Sequence, residues 1–224
     1  MNPHPGIEVL PNGQWIVEGD THLGAWAKQK GDIVTDPHLF QFLDPYLKDV
    51  ETAWSIGANI GDHALHYVRQ GKRVVAIEAH PITFECLRHN VPEALCLNLA
   101  ASDVRGSVNL MTCENIGASR IRPDGEWSIE AVPLDDHPDL PTPGFIECDI
   151  EGWEPMALTG MAGTITRHKP ILMFEMNRGA LAANGCTPEA LDEQIRSLGY
   201  REAILYPAKA KWSDDQLDAL YIPE

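Results

Sequence analysis

The chain has 224 residues, 44% of them hydrophobic and 22% charged, which suffices for one well-buried domain, is short for two, and is too apolar for disorder. Seventeen basic against thirty-three acidic side chains give a formal charge of -16, which repels phosphate backbones and anionic membrane surfaces and argues against nucleic acid or membrane as partner. The five cysteines (Cys86, Cys96, Cys113, Cys148, Cys186) form no CxxC pair; reduced thiols, no leader pattern and no run of about 20 apolar residues predict a cytoplasmic protein.

In chain order, residues 1–50 mix turn formers (PNG at 11–13, EGD at 18–20) with two helical stretches, HLGAWAKQKG and Pro37 to Lys48. They predict a cap segment. Over residues 52–224, short apolar runs alternate with longer mixed segments, the pattern of strand and helix in a parallel sheet. TAWSIG is a first strand, DHALHYVRQG a helix ending at Gly71, RVVAIEA a second strand, ITFECLRHN a second helix and ALCLNLAAS a third strand. Residues 107–134 break the alternation: SVNLMTC, SRI and SIEAVPL, separated by the turn-rich ENIGAS and RPDGEW, predict antiparallel strands of a β insertion. GFIECDI is a buried strand, Pro155 to about Arg167 one helix, PILMFEM the next strand, and Pro188 to Leu198 an amphipathic helix closed by Gly199. AILYPA and ALYIPE supply the last two strands, the final one antiparallel.

Between the first strand and first helix stands Ser55-Ile56-Gly57-Ala58-Asn59-Ile60-Gly61-Asp62. Small residues at 57, 58 and 61 allow a tight turn and close backbone approach to a ligand, beside the free N–H groups of a helix start. A dinucleotide site of the form GxGxxG would want glycine where Asp62 stands, and an acid beside a pyrophosphate disfavours binding. A cationic sulfonium ligand tolerates that acid, so the loop favours S-adenosylmethionine over NAD. Glu78 ends the second strand twenty-one residues after Gly57, where a carboxylate accepts ribose hydroxyls. An α/β domain whose loop merely turns tightly is the competing explanation.

IGANIGDHALHYV, VVAIEAHPITFECLRHN, NLAASD, NIGAS and CDIEGWEPMALTGM together resemble the FkbM-type methyltransferases, from about Thr52 to Tyr200. The resemblance implies a single domain over 1–224 with a class I, Rossmann-like α/β fold: a seven-stranded, mostly parallel sheet with helices on both faces, plus the cap and the β insertion. It further implies S-adenosylmethionine-dependent O-methylation of a carbohydrate or related small molecule. By the same likeness Gly57, Asn59 and Gly61 line the methionine part, Glu78 the ribose, and the Ala100 to Asp103 turn the adenine; Ser55, Ala79 and Asp149 are further cofactor-binding positions. Two positions depart from the family's habit: an acid is common where this chain has Ser55, and a lysine where it has Glu147. A protein that binds the nucleoside cofactor without turnover is the alternative these departures motivate.

Methyl transfer to a hydroxyl needs an in-line nucleophile and a group that takes its proton. Asp149, Glu151 and Glu175 fall at or past the carboxyl ends of predicted strands, where ligands of open α/β sheets bind. Asp149, Glu151 and His63 are the candidate catalytic residues; His22, Asn115, Ser119 and Glu175 the candidate acceptor-binding ones. Helix caps, turn chemistry or solvated side chains account for each of these equally simply. Asp149 with Glu175 offers two oxygen ligands for a divalent ion, but no third, so no metal is expected. Trp26, Trp54, Trp127, Trp153 and Trp212 are candidate flat surfaces for a sugar, and packing residues otherwise.

Overall fold

The computed structural model describes residues 6–224, so the first five residues of the expected cap lie outside the described residues. The cap begins with a hairpin, β1 (Ile7–Val9) and β2 (Trp15–Val17), around the PNG turn, and continues with α1 (Leu23–Lys30) and α2 (Pro37–Leu47). Asp36 starts α2 by accepting N–H bonds from His38 and Leu39, with Pro37 in the first turn. Next come β3 (Thr52–Ile56), α3 (Asp62–Arg69), β4 (Arg73–Ile77), α4 (Pro81–Asn90) and β5 (Leu95–Leu97). The insertion contains β6 (Ala100–Ala101), β7 (Gly106–Met111), β8 (Arg120–Ile121) and β9 (Trp127–Val132). The chain ends with β10 (Phe145–Cys148), α5 (Glu154–Gly160), α6 (Ala162–His168), β11 (Ile171–Glu175), α7 (Arg178–Ala183), α8 (Pro188–Ser197), β12 (Ile204–Tyr206) and β13 (Asp218–Tyr221).

Seven strands form one sheet in the order β12-β13-β11-β10-β3-β4-β5, and only β13 runs against the rest. Every residue of β3 and β10 is buried, because helices cover both faces of the sheet; that is why these strands read as apolar runs rather than alternations. Alternate residues still divide between the faces. Trp54 and Ile56 pack with Ala157, Leu158, Ile165 and Leu191, whereas Ala53 packs with Leu39, Leu43, Ala64 and Tyr67. The first face thus carries α5, α6 and α8, and the second α2 and α3.

A second sheet, β6-β9-β7-β8, carries the insertion. The hairpin arms are antiparallel as expected, but β6 joins β9 in parallel. Consequently ALCLNLAAS is two strands in two sheets. Asn98 marks the change: its side-chain amide donates to the carbonyls of Glu78 and Ala79, which turns the chain off the main sheet. The helix expected from Pro155 to Arg167 is also divided, because a side chain at Gly160 would lie 1.8 Å from the Ser102 carbonyl and Met161 leaves helical geometry with φ -126. Neither the β1–β2 hairpin nor α7 is marked by periodicity.

The cap is tied to the core at a few polar points. Asn90 Nδ2 donates to the carbonyls of Trp15 and Ile60, each at 2.8 Å, while its Oδ1 accepts the Trp15 N–H at 2.7 Å. Asp20 accepts N–H bonds from His22, Gly24 and Ile116, joining cap to insertion. Among the described residues, no helix is long and apolar enough to cross a membrane.

Candidate active site

The strand order reverses between β3 and β10, and a cleft of about 580 Å³ opens at the carboxyl ends of the strands there. Gly57 has φ 85, and a side chain on it would lie 1.8 Å from the Asp149 carbonyl. Only glycine lets the loop after β3 pass the end of β10. Asn59 is also left-handed (φ 49) and donates its N–H to Glu78 Oε2 at 2.8 Å, while the His80 N–H donates to Glu78 Oε1 at 2.7 Å. Burial raises the Glu78 pKa, and these backbone bonds partly offset it. The side-chain oxygen Oδ1 of Asn59 is buried with no hydrogen-bond partner among the described residues. Ala79 and Ala100 line the cleft near Glu78.

Gly61 serves a different need. Its side chain would meet Val91 Cγ2 at 2.6 Å and Leu87 Cδ1 at 2.9 Å, so it allows α4 to pack beneath the loop, and it is not part of the cleft wall.

Ser55 and Glu147 are register partners on neighbouring parallel strands, and the Ser55 hydroxyl donates to Glu147 Oε2 at 3.3 Å. Glu147 Oε1 pairs with His63 Nδ1 at 2.7 Å, and His63 Nε2 lies 3.6 Å from Asp62 Oδ2. Burial opposes a charged ring, but Glu147 and then Asp62 outweigh it and hold the His63 pKa well above its ordinary value. The pairing with Glu147 therefore favours the charged form of the ring. Its Nδ1 is thus engaged by Glu147 beside the cleft.

Asp149, Glu151 and Glu175 converge. One oxygen from each lies within 4.8 Å of the others, so the structure supplies the third carboxylate that spacing along the chain does not reveal. Desolvation in the cleft raises the pKa of all three, although Asp149 itself retains an exposed surface: for Asp149 a hydrogen bond with Glu175 and the charge of His63 oppose the rise while Glu147 and Asp62 add to it, for Glu151 the charge of Asp149 adds to it, and for Glu175 the charges of Asp149 and Glu151. Asn177 donates to Glu151 Oε2 at 3.2 Å, and Gln216 donates to Glu175 Oε1. Glu151 is left-handed (φ 53), in a loop held by Glu154, whose Oε1 accepts the N–H groups of Ile150 and Gly152 at 2.9 and 3.2 Å.

On the acceptor side, His22 and Trp26 form part of the cleft rim, their rings 4.1 Å apart. Asn115 and Ser119 also line the cleft, yet both side chains serve their own turn: Asn115 Oδ1 accepts the Gly117 N–H, and Ser119 Oγ accepts the Cys113 N–H. Of the five tryptophans proposed as sugar-facing surfaces, Trp26 and Trp153 line the cleft and the others do not; Trp54 is buried in β3 and donates to the Pro141 carbonyl. Nothing in local spacing marks Arg120, Gln216 or Asp218 as site residues. Asp218 reaches the cleft because β13 pairs it with Glu175, a relation visible only once the strand register is known.

The Methyltransferase FkbM domain profile matches residues 55–202. The hexuronic acid methyltransferase AglP of Haloferax volcanii is 23% identical over 145 residues, which are 60% of this chain and 59% of that protein. The chain therefore spans about three fifths of that relative's length. A crystal structure of an FkbM methyltransferase from Methylobacillus flagellatus KT superposes with a TM-score of 0.53 at 25% identity, covering 78% of this chain and 44% of that one. A TehB-like SAM-dependent methyltransferase from Corynebacterium glutamicum shares the fold, with a TM-score of 0.53 at 12% identity over 88% of this chain and 92% of that one. The fold is that of the class I methyltransferases, and with the profile match covering most of its length the chain belongs to the FkbM methyltransferase family.

Proposed function

We propose that the chain transfers a methyl group from S-adenosylmethionine to a hydroxyl of a carbohydrate or related small molecule. The observation that carries the cofactor is Glu78, whose two oxygens are pinned by the N–H groups of Asn59 and His80. A carboxylate so fixed to the glycine loop retains lone pairs for the two hydroxyls of a ribose. The orphaned Asn59 Oδ1 is an acceptor suited to an ammonium group, and Asp62, on the cleft wall, disfavours a pyrophosphate. The donor set thus fits the methionine-bearing nucleoside, with Gly57 and Asn59 at the loop, Glu78 and Ala79 at the ribose and Ala100 beyond.

When bound, that cofactor supplies a methyl group made electrophilic by a cationic sulfur. The protein's share is to hold the acceptor and take its proton. Asp149 and Glu151 follow β10, with the Asp149 backbone against the glycine loop, and on this reading their carboxyls accept that proton. His63 holds Glu147 and offsets its charge. His22, Trp26 and Trp153 offer the flat and polar surfaces a sugar ring uses. A carbohydrate acceptor is in keeping with the Haloferax volcanii relative.

Loss of turnover would be favoured by an acid missing at Ser55. Glu147 keeps a carboxylate 3.3 Å from Ser55, which favours the enzyme over a binding protein. Calorimetry with S-adenosylhomocysteine tests the foundation: binding with a dissociation constant on the order of micromolar is expected. No binding at millimolar ligand, or tight NAD binding in its place, would sink it.

A further inference from the structure

Eight carboxylates line the cleft against a single guanidinium, that of Arg120. Two cationic side chains bear on the acidic floor: His63 on Asp149, and Arg120 on Glu151. Three of the acids, Asp149, Glu151 and Glu175, place one oxygen each within 4.8 Å of the others. Two oxygens on opposite sides of a cation at about 2.4 Å are about 4.8 Å apart, so this spacing is that of oxygens around one hard divalent ion.

A separate observation points to a ligand in the same place. Glu175 is 4% exposed, and its Oε2 is buried with no hydrogen-bond donor among the described residues, while the carboxyl of Asp149, itself an acid, lies in hydrogen-bond reach of the side chain. A buried carboxylate oxygen that faces another acid is costly unless something positive comes between them. The other oxygens are oriented as metal-ligating carboxylates are: Gln216 holds Glu175 Oε1 and Asn177 holds Glu151 Oε2, an arrangement that fixes the ligand carboxylates from behind. The ligand atoms are all oxygens, and among the described residues no cysteine or histidine joins the cluster. This selects the Mg²⁺, Mn²⁺ and Ca²⁺ class over zinc.

We propose that Asp149, Glu151 and Glu175 bind one divalent cation of the oxygen-preferring class, which holds the acceptor's hydroxyl oxygen in the cleft. The inference rests on reading this cleft as the methyl-transfer site. Three carboxylates occupy about half of a six-coordinate shell, so positions remain for acceptor oxygens, and neighbouring hydroxyls on a sugar are natural occupants. Contact with the cation weakens the acceptor's O–H bond. The proton leaves to a carboxylate oxygen not used by the ion, and the electron pair freed on the acceptor oxygen forms the new bond to the methyl carbon as the carbon–sulfur bond breaks.

The competing explanation is a proton shared between Asp149 and Glu175. Titration of the chain alone with Mn²⁺, followed by the loss of the free-ion electron paramagnetic resonance signal, separates the two. One saturable Mn²⁺ per chain is expected, displaced by Mg²⁺ and weakened at least about tenfold in Glu175→Gln, while Glu93→Gln, an exposed acid, leaves it unchanged. S-adenosylhomocysteine calorimetry on Glu175→Gln confirms that its cleft is intact. Absence of a saturable site, or equal binding by Glu175→Gln, overturns the proposal. If S-adenosylhomocysteine binds the wild type and Mn²⁺ does not, the cation site alone falls; if Mn²⁺ binds at these residues and S-adenosylhomocysteine does not, the site stands and the methyl-transfer reading falls.

Discussion

Ser55 and Glu147 face each other across β3 and β10, hydroxyl to carboxylate at 3.3 Å, with His63 on the far oxygen of Glu147 at 2.7 Å. The two positions that the resemblance marks as unusual are therefore in contact and act as one coupled pair. Here a hydroxyl on β3 stands opposite an acid on β10, and the basic partner of that acid comes from α3.

This coupling predicts non-additivity. Ser55→Asp puts a second carboxylate against buried Glu147, so the single variant loses stability, whereas Ser55→Asp with Glu147→Lys restores an opposite-charge pair. A double-mutant cycle by urea unfolding is expected to show a favourable interaction of about 1–3 kcal/mol. Additive effects would show that the two positions do not interact.

His63→Gln tests the cation. It leaves Glu147, 3% exposed, without its charged partner, at a cost of about 3 kcal/mol. The pH dependence has a definite sign. Because the folded His63 pKa is raised, its stabilisation is full below about pH 6.5, the unfolded value, and is lost as pH rises through the folded value. Unfolding measured from pH 6 to 10 is expected to show an alkaline loss in wild type that His63→Gln lacks.

Backbone demands make a sharper test of the glycine loop. Gly57→Ala combines φ 85 with a contact of 1.8 Å to the Asp149 carbonyl, so it displaces β10 from the loop. Gly185→Ala has a similar φ of 74 but nothing within 4 Å, and is expected to cost only about 1 kcal/mol. S-adenosylhomocysteine affinity should collapse in the first variant and persist in the second; retention in both would remove the loop from the cofactor site.

What was legible in the amino-acid sequence follows from distance along the chain. TAWSIG, RVVAIEA, GFIECDI and PILMFEM are apolar because both faces of the sheet are covered, and so they announce β3, β4, β10 and β11 directly. Gly57 and Glu78 belong to one βαβ unit, where spacing alone relates them. His63 and Glu147 are 84 residues apart, and Asp218 reaches Glu175 through the antiparallel register of β13; no local period encodes either. The division of ALCLNLAAS between two sheets was hidden because Asn98 is apolar-flanked and acts through its side-chain amide.

His80 makes a second titration prediction, opposite in direction. Its Nδ1 accepts the Ile82 N–H at the start of α4, so Nε2 carries the proton that is donated to Thr112 Oγ1 at 3.1 Å. Burial lowers its pKa to about 4. A histidine kept neutral gives full stability above about pH 6.5, and the stability is lost as pH falls from there towards 4, by about 3 kcal/mol as an upper bound. Asn retains the helix cap without titrating. The stability difference between His80→Asn and wild type is expected to shift in favour of the variant between pH 6.5 and 4; a constant difference would show that the ring is not held neutral.

Glu154 closes the loop that carries Asp149 and Glu151, and its role separates hydrogen bonding from charge. Its Oε1 accepts from Ile150 and Gly152, its Oε2 has no hydrogen-bond partner among the described residues, and burial pushes its pKa up to about 8. A carboxyl in that state acts through an acceptor oxygen, which glutamine also possesses. Glu154→Gln is therefore expected to keep stability within about 1 kcal/mol of wild type, with S-adenosylhomocysteine and Mn²⁺ affinities preserved. Glu154→Ala orphans two backbone N–H groups and opens a cavity beside Gly152, which passes so close to α7 that a side chain there would lie 2.3 Å from the Ala180 carbonyl. The expected loss is about 2–4 kcal/mol, accompanied by weaker Mn²⁺ binding as Glu151 leaves its left-handed geometry. If Glu154→Gln is as damaging as Glu154→Ala, the residue acts through its negative charge, and the loop is held by electrostatics instead of by the two backbone bonds.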